Sequence, residues 1–120
     1  SLVTVTNATG VALSGLEFTE TRSTFMGQYE VPSGGDWSIH RGGAVFVEDS
    51  DGVSVTHSLF DQVGGNAVFL SRHVGGANIS ANEFVHCGDS AIASVGARAT
   101  QYKWGETHVT AHETTILSSV

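Results

Sequence analysis

Three nine-residue segments of this chain share one pattern. They are Gly10-Val11-Ala12-Leu13-Ser14-Gly15-Leu16-Glu17-Phe18, Gly52-Val53-Ser54-Val55-Thr56-His57-Ser58-Leu59-Phe60 and Gly76-Ala77-Asn78-Ile79-Ser80-Ala81-Asn82-Glu83-Phe84. The second and third begin at Gly52 and Gly76, an offset of 24. The first begins at Gly10, an offset of 42 from the second, and the excess implies an insertion between them. A second element keeps the same register: Ala44-Val45-Phe46-Val47, Ala67-Val68-Phe69-Leu70 and Ala91-Ile92-Ala93-Ser94, at offsets of 23 and 24. A degenerate fourth unit is expected from Thr107-His108-Val109, where Val109 follows Ile79 at an offset of 30. A fixed period of this length marks stacked supersecondary units that bury a continuous core only together.

Within each unit the apolar period is two rather than 3.6. Val53 and Val55 point one way while Ser54 and Thr56 point the other, which is strand alternation. The strands are four to five residues long, punctuated by Gly-Gly, Asp-Gly and Gly-Asp. An all-β chain follows, a parallel β-helix of about four to five coils of 23–24 residues with loop insertions near 21–43 and 97–106. Coils stack at about 4.8 Å, so equivalent residues form ladders. Phe18, Phe60 and Phe84 form one interior ladder, and Val45, Val68 and Ile92 another. A leucine-rich repeat needs leucine at most framework positions, where this chain uses Val, Ile, Phe and Ala. A calcium-binding nonapeptide repeat needs Gly-Gly-x-Gly-x-Asp at period nine, which is absent.

The 120 residues suffice for one domain, 1–120. Twelve acidic against five basic residues give a net charge of −7, with Lys103 the single lysine. That balance argues against a nucleic-acid partner. No apolar run approaches the roughly 18–20 residues of a membrane helix. Cys87 is the sole cysteine, so no internal disulfide forms and cysteine does not fix the compartment. Ser1-Leu2-Val3-Thr4-Val5-Thr6 already reads as a strand rather than a signal peptide. Asn7-Ala8-Thr9 and Asn78-Ile79-Ser80 are glycosylation sequons of low specificity. A strand pattern at both ends, with no amphipathic capping helix, gives the expectation of a slice from a longer solenoid.

The run from Val31 to Glu48 and the segment Gly88-Asp89-Ser90-Ala91-Ile92-Ala93, within this repeat, resemble the right-handed parallel β-helix proteins of the pectin-lyase-like superfamily. The resemblance covers nearly the whole chain. It implies a right-handed solenoid, extracellular or cell-surface, acting on or binding polysaccharide. The superfamily holds hydrolases, lyases, epimerases, adhesins and tailspikes, so fold alone does not set activity. The Asn-Thr-Asp, Asp-Asp, Gly-His-Gly and Arg-Ile-Lys motifs of polygalacturonase-like hydrolases are absent, as is the clustered acid set of pectate lyases. No catalytic residue carries over from either.

Function on such a scaffold lies on the outer face and in loops. Both insertions flank the ladder of strands 44–48, 67–71 and 91–95, and both are aromatic: Phe25, Tyr29 and Trp37 in one, Tyr102 and Trp104 in the other. Trp37, Tyr102 and Trp104 suit the apolar faces of sugar rings; the structural alternative is that they pin the loops. Glycosidases use two carboxylates about 5–9.5 Å apart, a spacing that stacked coils supply. Asp89 aligns with Gly65 and Gly42, whose missing side chains leave room above it. Asp36 sits beside Trp37 in the insertion. Asp89 and Asp36 are the acid/base candidates, with His40 as proton shuttle and Arg41 as anion clamp. Their structural alternative is a turn residue bonding its own backbone. The leading function is a glycoside hydrolase; the other is a noncatalytic surface or matrix β-helix binding glycan or protein. Asp49 aligns with Arg72 and suggests a structural ion pair. Asp61 suggests a solvated turn acid. No cofactor is expected, with calcium at Asp49 and Asp51 the open alternative. His108 and His112 would lie about 13 Å apart on a strand, too far to chelate one transition metal.

Overall fold

The computed structural model describes residues 1–30 and 38–96, together with the backbone of 114–117. Among these residues the chain is all-β, and no helix is long and apolar enough to cross a membrane. Eleven strands follow in order: β1 (Val3–Thr6), β2 (Ala12–Ser14), β3 (Glu17–Thr19), β4 (Val45–Asp51), β5 (Ser54–Thr56), β6 (Leu59–Asp61), β7 (Val68–Gly75), β8 (Ala77–Ser80), β9 (Glu83–Val85), β10 (Ile92–Val95) and β11 (Thr114–Leu117). They form three sheets with the orders β1-β4-β7-β10, β2-β5-β8-β11 and β3-β6-β9. Every pairing is parallel, and each strand up to β8 pairs with the one three places later. The chain thus makes successive passes through the same three sheets, an arrangement compatible with a parallel β-helix.

The repeat sets the register. Phe18 pairs with Phe60 and Phe60 with Phe84, and their rings stack at centroid separations of 4.7 and 5.0 Å. Val45 and Val68 are fully buried, and Val68 pairs with both Val45 and Ile92. Val5, Val47, Val53, Val55, Val63 and Ile79 complete one continuous core. Each buried aromatic or aliphatic side chain contributes roughly 1.5–3 kcal/mol, the largest favourable term available to short strands.

At the corners of each pass, two of them inside β4 and β7, the backbone turns through left-handed residues at matching positions. Asn7, Gly10, Gly15 and Glu20 have positive φ in the first pass, Asp49, Gly52, His57 and Gln62 in the second, Arg72, Gly76, Ala81 and His86 in the third. Most of these are not glycine, so neighbouring passes impose the bend against a local preference of roughly 1–2 kcal/mol. At one corner β7 carries an extra residue: Glu48 pairs with Ser71 but Ser50 with Val74. This bulge accounts for the change of offset from 23 to 24 in the repeat.

The fourth unit differs from the sequence expectation. Ile116, not Val109, pairs with Ile79, so this strand comes later in the chain and the second insertion is longer. Thr107-His108-Val109-Thr110 and Thr114-Thr115-Ile116-Leu117 each carry a β-branched aliphatic residue in third place, and so short a pattern cannot choose between them. Residues 107–112 lie outside the described residues.

Candidate functional site

The described residues of the first insertion pack onto the outer face of the β1-β4-β7-β10 sheet. Phe46 and Phe69 point outward there and stack at 5.9 Å, and Phe69 is fully buried with Ile39, Ala93 and Val95 packed against it. Glu30 and Ile39 exchange two backbone hydrogen bonds of 2.9 Å, forming an antiparallel bridge across the insertion. Arg41 fastens it. Its side chain is 9% exposed and ion-pairs through Nε with Glu30. Nη1 donates to Ser71 Oγ at 2.8 Å and more weakly to the Val95 carbonyl, and Nη2 donates to the Gly96 carbonyl at 3.1 Å. The guanidinium lies 5.7 Å from the Phe69 ring centroid. Ser71 in turn donates to Glu48 at 2.6 Å. Four of the five N–H donors of Arg41 therefore have partners within the protein, where the residue straps the insertion to the sheet.

Where this insertion leaves and rejoins the sheets, residues 19–24 and 40–44 enclose a cleft of about 520 Å³, to which Leu2 and Asn66 also contribute. The 21–24 wall rests on two glycines. Gly64 N–H donates to Thr21 Oγ1 at 2.8 Å, and Thr24 N–H donates to the Gly64 carbonyl at 2.9 Å. A Cβ on Gly64 would meet the Arg22 backbone at 2.5 Å, and one on Gly65 would meet Thr24 Oγ1 at 2.5 Å. The glycine at 65 therefore does not leave room above Asp89, as the alignment suggested. It admits Thr24.

Asn66 holds the opposite wall. It is 1% exposed; its Nδ2 donates to the His40 carbonyl at 3.0 Å and to the Gly42 carbonyl at 2.9 Å, while its Oδ1 accepts from Ser90 N–H. Sequence reading missed this residue, because Gly-Gly-Asn before a strand looks like a turn. His40 Nδ1 lies 2.9 Å from the Gln28 carbonyl. A carbonyl can only accept, so Nδ1 carries a proton and Nε2 is the acceptor of the neutral ring. Tyr29 packs against His40 at a centroid distance of 6.1 Å.

The cleft brings together His40, Glu20 and Arg22. Glu20 and Arg22 are exposed, and neither was singled out from sequence. Asp89 is exposed outside the cleft lining; its N–H donates to the Gly65 carbonyl and its Oδ1 accepts from Ser90 Oγ at 3.4 Å. Asp36, Trp37, Tyr102 and Trp104 lie outside the described residues.

The other acids considered have partners. Asp49 pairs with Arg72 at 3.4 Å, as its alignment suggested, and Asp51 faces His73 at 3.2 Å. The two acids of the calcium alternative thus each face a basic side chain, and among the described residues no three His, Cys, Asp or Glu groups are placed to hold a metal ion. Asp61, expected as a solvated acid, keeps 33% of its side chain exposed. Its Oδ1 is shut off from solvent without a hydrogen bond, 3.5 Å from His86 Nδ1. Burial, with the nearby Asp61 charge, raises the pKa of the Cys87 thiol above its ordinary value, which makes the thiol a poor nucleophile.

Comparison with protein-family models, with curated proteins and with solved structures finds no match.

Proposed function

We propose that this protein is an extracellular right-handed parallel β-helix, of the pectin-lyase-like kind it resembles, that binds anionic polysaccharide in the cleft between residues 19–24 and 40–44. The observation that carries this reading is Arg22. In a chain with net charge −7, it is an exposed guanidinium in the cleft lining with no acidic partner among the described residues, whereas Arg41 and Arg72 are both paired. A free guanidinium presents a fork of donors matched to a carboxylate or sulfate. The hydroxyls of Thr19, Ser23 and Thr24 and the Nε2 of His40 offer the donors and acceptors that sugar hydroxyls require.

Binding is favoured over hydrolysis by the state of the acids. Glu20 is the only carboxylate side chain in the described cleft lining. A glycosidase needs a second one across the bond to be cleaved. Glu30, Glu48, Asp49, Asp51 and Asp61 are occupied elsewhere.

Titration with neutral, uronic-acid and sulfated polysaccharides tests the proposal, with reducing-end release followed in the same samples. Anionic glycans should bind, more weakly as salt rises, and Arg22→Gln should weaken them about 5- to 10-fold. Binding indifferent to Arg22→Gln, or no binding, would remove the proposal. Reducing ends released by the wild type would turn it into a hydrolase.

A further inference from the structure

The turn at the tip of the insertion holds two large apolar side chains in water. Phe25 is 72% exposed and Met26 84%. They occupy the central positions of a turn closed by Gly27 N–H donating to the Thr24 carbonyl at 2.7 Å. The base of this turn is fixed. Thr24 is seated on Gly65 and bonded to Gly64, and a Cβ on Gly27 would lie 2.9 Å from the Thr24 carbonyl and 3.1 Å from the His40 ring. Tyr29, 40% exposed, packs on the same His40 ring. An apolar pair presented on an anchored turn is a more informative feature than a singly exposed residue.

We infer that Phe25 and Met26, with Tyr29, form a stacking platform that extends the cleft into a second subsite for a further sugar ring of the same polymer. This inference rests on the glycan reading of the cleft. Continuity supports it: Thr24 and His40 line the cleft and also anchor the turn and Tyr29. Size supports it as well. Two side chains and one tyrosine edge match the apolar face of a sugar ring, whereas a stable protein interface needs roughly 800 Å² from each partner. Charge argues against a membrane surface, since a chain of net charge −7 is repelled by anionic lipid.

Calorimetric titration with linear uronic-acid oligomers, from dimer to hexamer, tests the platform. Wild type is compared with Arg22→Gln and with the double variant Phe25→Ala, Met26→Ala. Both sites are exposed, so the double variant should keep the fold, which circular dichroism checks. The platform predicts that the double variant weakens hexamer binding about 3- to 10-fold and leaves the dimer within about 2-fold, while Arg22→Gln weakens every length. Hexamer affinity unchanged in the double variant would overturn the platform and leave the cleft standing. Equal weakening of dimer and hexamer would also overturn it, because the turn would then belong to the first subsite. No binding of any oligomer by the wild type would overturn the cleft and the platform together.

Discussion

Replacing Asn66 by alanine isolates the residue that ties the cleft wall to the stack. The side chain is 1% exposed and makes three hydrogen bonds, to the His40 and Gly42 carbonyls and from Ser90 N–H. Alanine leaves the Gly42 carbonyl and the Ser90 N–H without partners, while the His40 carbonyl loses one of its two donors and keeps the Gly42 N–H. Each orphaned group costs about 1–3 kcal/mol when water cannot reach it. His40 and Gly42 border the cleft, so water can recover part of the loss at the two carbonyls. The net destabilisation should be about 3 kcal/mol. Aspartate is the sharper test because it keeps the shape. One oxygen still accepts from Ser90, but the other then faces two carbonyl oxygens and brings a buried charge, so Asn66→Asp should cost at least as much as alanine. Urea unfolding of the three proteins measures both, provided the slopes agree. A loss below about 1 kcal/mol for alanine, or an aspartate variant as stable as wild type, would refute the role given to Asn66.

Three further outcomes follow from the packing. Ala81 has a φ of 54°, a left-handed bend that costs a residue with a Cβ roughly 1–2 kcal/mol; Ala81→Gly relieves it against a chain-entropy cost of about 0.5–1 kcal/mol, so the urea midpoint should rise slightly. Arg41→Gln removes the Arg41–Glu30 ion pair from a largely buried site and should destabilise by about 3 kcal/mol, with faster hydrogen exchange at the Glu30 and Ile39 amides than at Val55 or Ile79. Cys87 should alkylate slowly at neutral pH, and Asp61→Asn should speed the reaction, because removing the negative charge lowers the thiol pKa and raises the thiolate fraction; an unchanged rate would contradict the coupling.

The repeat made the fold legible because stacking forces equivalent residues into contact. Phe18, Phe60 and Phe84 are chemically alike and stack, and the Asp49 and Arg72 pairing was readable as opposite charges one repeat apart. Even the one-residue slip in the repeat offset recorded a real bulge in β7, opposite Asp49. The site was far less legible. The repeat did place the first insertion beside the strands at 44–48, 67–71 and 91–95, and Ile39 of that insertion packs against Phe69. Asn66 gave no such signal, since its three partners are backbone groups supplied by distant parts of the chain. Arg41 looked like a ligand group because a charge is visible in sequence and its burial is not. The left-handed corners carry Asn, Glu, Asp, His, Gln, Arg and Ala, so neighbouring passes and not residue type decide them.

Amide chemical-shift mapping during titration with a uronic-acid hexamer tests the cleft reading most directly, because it reads fold and site together. The shifts should concentrate at Thr19–Thr24 and His40–Ala44, extend to Phe25 and Met26, and leave β5 and β8 unmoved. Shifts confined to the β2-β5-β8 face, or none at saturating hexamer, would contradict it.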